Sequence, residues 1–299
     1  MFHREQFRLR LRSGTLVLGR RTLIMGVLNA TPDSFSDGGA FLDLQAAIAR
    51  ALQLERQGAD IIDIGGESTR PSAQPVSAQI ELLRILPLIE ALRGKLKIPI
   101  SVDTQKAEVA EAALAAGAEI INDISGLRTD ERLGEVARKA RAPVILMHMR
   151  GTPRTMQQGP FARNVMRDVI GGLREALSRA RRAGVGESQI LLDPGIGFGK
   201  SHAQNFEILG RLPEFAELGC PIVIGTSRKG FLGKILAREG ESPLPSGGRL
   251  LGTAATVTAS IWGGAHIVRV HDVAEIARVA RVADAIVNSA GTTKKRKLR

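Results

Sequence analysis

The sequence predicts an α/β fold, a single-domain (β/α)8 TIM barrel, and three observations carry that prediction. Eight short apolar, β-rich runs alternate with longer amphipathic segments along the 299 residues, an order that implies parallel βαβ units. Three helix-to-strand joints repeat one chemistry: Gln57-Gly58-Ala59-Asp60, Ala116-Gly117-Ala118-Glu119 and Gly263-Gly264-Ala265-His266. In each, a glycine suits the left-handed position that ends a helix, and an apolar strand begins within three residues. Polar groups then stand at the C-terminal end of every strand run, the end where barrel enzymes assemble their active sites.

Taken in order, the predicted strands are 22–29, 60–66, 98–104, 119–125, 143–149, 190–195, 221–227 and 265–271. The helical patterns between and after them are 44–57, 77–93, 106–116, 130–140, 164–183, 204–209, 252–262 and 273–288. Eight strand–helix pairs need about 250 residues. Residues 1–21 then form an N-terminal extension, expected as a hairpin covering the barrel base, 22–290 the barrel, and 291–299 a disordered basic tail. The glycine-rich 239–248 reads as a surface loop, and the glycine joints recur at no fixed period, which excludes a solenoid. A doubly wound open sheet is the runner-up, but its G-x-G-x-x-G fingerprint is absent after the first strand.

Composition narrows the function classes. At 43% hydrophobic the chain can bury a core without staples. Its one cysteine, Cys220, permits no internal disulfide, so a cytoplasmic location is expected, and the residue reads as core rather than nucleophile. No apolar run has bilayer-spanning length, so no membrane partner is expected. The formal charge is +12, and removing the five cations of residues 294–299 leaves +7. With 3% aromatic residues and no tyrosine, stacking platforms for bases are scarce, and nucleic acid is not favoured as a partner.

The strand ends carry the chemistry. Residues 25–39 run from an apolar strand through Asn29 into Thr31, Asp33, Ser34, Ser36 and Asp37, oxygen groups that suit a metal or a closing loop as well as an ordinary turn. Asp63 reads either as a buried structural carboxylate or as a substrate contact. His148, between two methionines, reads as a positioned polar residue, and no zinc site is expected. The segment from Asp193 to Ser201 approximates a phosphate loop but has Pro194 where that loop requires glycine. Arg228 and Lys229 follow an apolar strand and are expected to face the mouth, a solvated pair being the alternative. Arg269 and His271 share one strand face, two donors suited to an anion.

In this order the segments resemble the dihydropteroate synthases of folate biosynthesis: residues 25–39, 61–71, Asp103-Thr104, Asn122-Asp123-Ile124, Met147-His148-Met149, 193–200, Ser227-Arg228-Lys229 and 269–272, covering roughly 15–290. The resemblance implies a homodimeric barrel that condenses 6-hydroxymethyl-7,8-dihydropterin diphosphate with 4-aminobenzoate, by Mg²⁺-assisted departure of pyrophosphate and arylamine attack on the pterin methylene. It implies a pterin pocket of Asp103, Asn122, Met147, Asp193, Lys229 and Arg269, and an aminobenzoate seat of Thr69, Pro71 and Phe198. Arg70, Arg269 and His271 would meet the diphosphate, Asn29 would hold Mg²⁺, and Asp37 would favour the cationic methylene. Gly230 and Ser72 depart from the family, in which serine commonly follows Ser-Arg-Lys and glycine follows Thr-Arg-Pro. A pterin-binding paralogue without synthase activity is the alternative.

Overall fold

The structure, a computed structural model, describes residues 4–30, 39–70 and 73–292. Asp37, Pro71, Ser72 and the lysines of the tail lie outside them.

An antiparallel hairpin comes first, β1 (Phe7–Arg10) with β2 (Thr15–Leu18). Eight parallel strands follow: β3 (Leu23–Asn29), β4 (Ile61–Gly65), β5 (Ile100–Asp103), β6 (Ile120–Asp123), β7 (Val144–Met147), β8 (Ile190–Asp193), β9 (Val223–Ile224) and β10 (Ile267–Val270). Their order is β8-β7-β6-β5-β4-β3-β10-β9. A bridge between Leu192 and Ile222, with Leu192 N–H donating to Pro221 O at 3.0 Å, joins β8 to the lead-in of β9 and closes the ring. The sheet is thus a barrel rather than the open alternative. Each strand lies inside its predicted run.

The helices are α1 (Gly39–Arg56), α2 (Ala78–Leu92), α3 (Ala107–Ala116), α4 (Arg132–Ala140), α5 (Val165–Arg182), α6 (His202–Gly210), α7 (Gly230–Leu236), α8 (Leu250–Trp262) and α9 (Val273–Thr292). Local chemistry sets their starts. Ser77 accepts from Ile80 N–H, Asn164 from Arg167 N–H, and Ser201 with Gln204 completes a reciprocal capping box. Gly58, Gly117 and Gly264 at the three joints have φ of 104°, 139° and 98°, the region that favours glycine. The α7 helix was not anticipated, and α9 runs to Thr292, two residues into the segment assigned to the tail.

The strands are buried on both faces, as parallel strands are. Their outer faces pack on the helices in one continuous core that includes Leu54, Ile62, Ile64, Val102 and Leu192. Inside, Met25, Ile61, Ile120, Ile145 and Ile267 form a plug near the N-terminal ends of the strands, on which the hairpin seats Leu9 and Leu18, 1% and 0% exposed. Burying each of those leucines contributes about 2 kcal/mol. Arg4 ties this end shut, donating to Thr22 Oγ1, to Ala265 O and, by ion pair, to Asp284 of α9. With the base sealed, the opposite mouth is left for function.

Candidate active site

Register builds the mouth. Asn29 pairs with Gly65, Gly65 with Asp103, and Asp103 with Asn122, placing these residues side by side across β3 to β6. Met147 pairs with Asp193 on the far wall. A Cβ at Gly65 would lie 3.4 Å from that of Asp103, an ordinary contact distance, so the two residues stand side by side at the strand ends. Above these ends lies a cleft of about 890 Å³.

The cleft brings together Asn29, Thr69, Arg70, Asp103, Asn122, Met147, Asp193, Phe198, Lys229, Arg269 and His271, all named from the sequence. Thr69 is half-buried and Arg70 exposed, at the rim. That rim loop is anchored from beneath: Glu67 and the fully buried Glu81 of α2 both accept from Lys106. Asp37 and Pro71 belong to the segments outside the described residues.

Charge is concentrated at the floor. Arg269 donates through Nε to Asp63 Oδ2 at 2.6 Å and through a terminal nitrogen to Asp103 Oδ2 at 2.8 Å, while Asn122 Nδ2 donates to the same Asp63 oxygen at 3.1 Å. Of the two readings of Asp63, the buried structural one describes its place: it is 0% exposed and holds two site side chains instead of facing the cleft. Burial pushes the Asp103 carboxyl up to about 7; Arg269 opposes the shift and Asp63 adds to it. Burial opposes the Arg269 charge as well, but the two carboxylates outweigh it, and its pKa is raised. Asp193 is likewise raised by burial, against the pull of the Gly195 N–H at 2.7 Å and of Lys229.

The two cations after β9 part company. Arg228, with φ of 59°, donates to Asp272 through Nε at 2.9 Å and is committed to that pair. Lys229 turns inward and sets its ammonium 4.0 Å from the centre of the Phe198 ring, within cation–π range. Burial, followed by the repulsion of Arg269, pulls Lys229 down to about 8. Beside them His271 N–H donates to Ser227 Oγ at 3.2 Å, and His271 Nδ1 lies 3.0 Å from the same oxygen. The Ser227 hydroxyl can accept the backbone N–H and donate its own proton to Nδ1, an arrangement in which Nε2 carries the ring proton. Burial first, then Arg269, depresses His271 to about 3, so the ring is neutral.

Sequence reasoning passed over Lys200, Glu67 with Lys106, and Ser227 as individual contributors. Lys200 Nζ lies 3.0 Å from His148 Nδ1, and burial, then Lys200, depresses His148 to about 2. His148 therefore serves as a neutral partner. A signal for Lys200 was available in the glycine-dense run before it, but the direction of a side chain after such a turn is not written in the spacing.

A closed parallel barrel with carboxylates, an amide and cations converging on one deep cleft belongs to the class of pterin-binding enzymes, and the pterin binding enzyme family matches residues 25–271. The chain belongs to the dihydropteroate synthase family: it is 51% identical over 272 residues to the dihydropteroate synthase of Synechocystis sp., covering 90% of this chain and 91% of that one. Among solved structures it resembles the Clostridium difficile enzyme determined in the presence of pteroic acid (TM-score 0.83, 46% identity, 90% of this chain and 98% of that chain). It also resembles the Xanthomonas albilineans enzyme with 4-aminobenzoic acid (TM-score 0.86, 41% identity, 94% and 98%).

Proposed function

We propose that this cleft condenses 6-hydroxymethyl-7,8-dihydropterin diphosphate with 4-aminobenzoate, releasing pyrophosphate and 7,8-dihydropteroate. The observation that carries the reading is the pairing of two buried acceptors, Asp193 and Asn122, with Lys229 and Arg269 around one deep pocket. The pterin's aminopyrimidinone edge presents adjacent N–H donors, which suit the Asp193 carboxylate and the amide oxygen of Asn122. Lys229 then donates to acceptor atoms of the ring, and Met147 packs against its face. Arg269 leaves Asp103 to stack on the pterin and, with His271 Nε2–H and Arg70, meets the diphosphate. Thr69, Pro71 and Phe198 hold the aminobenzoate at the rim.

Catalysis in this reading is electrostatic. As the bond between the pterin methylene and the diphosphate oxygen breaks, negative charge grows on the leaving group, and in this reading Arg269 and Lys229 balance it. The methylene left behind is electron-poor and is favoured by the Asp37 carboxylate. The arylamine nitrogen attacks it, a C–N bond forms, and the amine proton passes to solvent. No residue nucleophile is required.

The family reaction implies Mg²⁺, and Asn29 fits a part in holding it. Its side chain stands at the cleft end of β3 and makes no hydrogen bond among the described residues. An amide oxygen with diphosphate oxygens and water is a donor set that suits this hard cation. When bound it would neutralise diphosphate charge.

A homodimer is part of the same reading. Ile235 and Leu236 of α7, Leu251 of α8 and Val282 of α9 are 64%, 39%, 78% and 63% exposed, apolar surface on consecutive helices of the kind that self-associating faces present. No described helix is long and apolar enough to cross a membrane. Burial raises the Cys220 thiol to about 11, consistent with an inert cysteine. Residues 1–21 serve as the cap of the base and the tail as dispensable for turnover.

Asp193→Asn tests the site. Calorimetry should show binding of a pterin analogue weakened at least 100-fold, about 2.7 kcal/mol, with the circular dichroism spectrum unchanged. Undiminished affinity removes Asp193 from the pocket.

A further inference from the structure

Lys200 is 2% exposed, one of the largest fully buried side chains among the described residues. Its ammonium carries three donors, and three acceptors surround it: Phe198 O at 3.0 Å, His148 Nδ1 at 3.0 Å and His148 O at 3.2 Å. None is a carboxylate. Burying a cation against neutral acceptors costs stability, and burial here pulls the lysine down to about 7, with Asp193 favouring the charge from a distance. An apolar side chain would avoid that cost, so what the lysine contributes is a nitrogen within hydrogen-bond reach of all three acceptors.

Those donors join two segments. His148 follows β7, and Phe198 lies in the loop from β8 to α6. The loop is pressed onto the end of β7: a Cβ at Gly195 would stand 2.0 Å from His148 O, and one at Gly199 would stand 2.6 Å from Arg150 Cβ. Gly197 is held from both sides, its N–H donating to Asn205 Oδ1 at 2.6 Å and its carbonyl accepting from Gln157 Nε2 at 2.9 Å. With the Phe198 carbonyl turned in to Lys200, the ring is left to pack with Met147 and Met156 in the cleft wall, under the Lys229 ammonium.

We infer that Lys200 is a positioning residue for the arylamine substrate: by tying the Phe198 carbonyl to His148 it fixes the Phe198 ring that seats 4-aminobenzoate. The inference rests on the reading of Phe198 given under Proposed function. Lys200 lies at the cleft wall with its three hydrogen bonds directed to Phe198 and His148, and in this inference it acts through Phe198.

Steady-state kinetics of Lys200→Met, Phe198→Ala and the double variant test it, with Lys200→Gln as the comparison should the methionine variant not fold. Lys200→Met should raise the KM for 4-aminobenzoate about tenfold while the KM for the pterin diphosphate stays within about threefold, because a lost positioning contact weakens one substrate and not the other. In the Phe198→Ala background the lysine substitution should add less than about twofold, the non-additivity of residues acting as a unit. An unchanged aminobenzoate KM in Phe198→Ala alone overturns the Phe198 seat. A raised KM in Phe198→Ala with none in the lysine variant overturns the role of Lys200, as do additive effects or an equal rise in both KM values.

Discussion

Arg269 Nε lies 2.6 Å from Asp63 Oδ2 on the floor of the cleft, so a cation that lines the cleft is held by a carboxylate that is itself fully buried. One guanidinium faces two carboxylates there, Asp63 and Asp103, and the excess of negative charge adds to burial in raising Asp103 toward 7. Asp63→Asn keeps the shape and removes one negative charge. Asp103 then becomes the counter-ion of Arg269 and should ionise at lower pH. The pH profile of pterin-analogue binding should move acid-ward by about one pH unit; an unmoved profile would show that the two carboxylates are not coupled through Arg269.

Lys229 provides a pH signature. Its folded pKa near 8 means that it is charged below that value and loses its proton as pH rises through it. If its cation serves pyrophosphate departure, kcat/KM should fall on the alkaline side with an apparent pKa near 8. Lys229→Ala should lose about 100-fold or more in turnover while remaining folded, and the alkaline limb should disappear with it. A variant with near-normal turnover would take Lys229 out of the chemistry.

Gly230 begins α7 at the cleft, and among the described residues nothing beyond its chain neighbours and its own helix backbone lies within 4 Å of where its Cβ would stand. Gly230→Ser therefore places a hydroxyl there without displacing anything. Its expected effect is a KM for 4-aminobenzoate lowered about tenfold, the worth of one hydrogen bond to a carboxylate. Inhibition by sulfonamides, which mimic that substrate, should strengthen alongside. Unaltered values for both would mean that the carboxylate binds elsewhere.

The exposed apolar side chains of α7 and α8 make the dimer testable. Leu251, 78% exposed, is a large apolar group that a monomer gains little by displaying. Leu251→Glu should convert a dimer to a monomer in sedimentation velocity, with the far-ultraviolet spectrum unchanged. A mutant that sediments as the wild type places the interface on another face.

Much of this was legible because parallel strands buried on both faces read as apolar runs, and in a barrel the polar residues ending those runs gather at one end, most of them at the mouth. Asn29, Asp103, Asn122, Asp193 and His271 were found by that logic alone. What stayed hidden depends on packing. The seven residues of α7 contain two glycines and are too few to show a helical period. Neighbouring cations such as Arg228 and Lys229 look alike in sequence; both line the cleft, but the first pairs with Asp272 and the second turns to the Phe198 ring. Asp63 could not be assigned until Arg269, 206 residues away, was seen beside it.

The most direct measurement is turnover itself. Folded protein incubated with 6-hydroxymethyl-7,8-dihydropterin diphosphate, 4-aminobenzoate and Mg²⁺ should form pyrophosphate and 7,8-dihydropteroate in equal amounts. Saturable pterin binding with neither product would contradict the synthase reading and leave a barrel that only binds pterin.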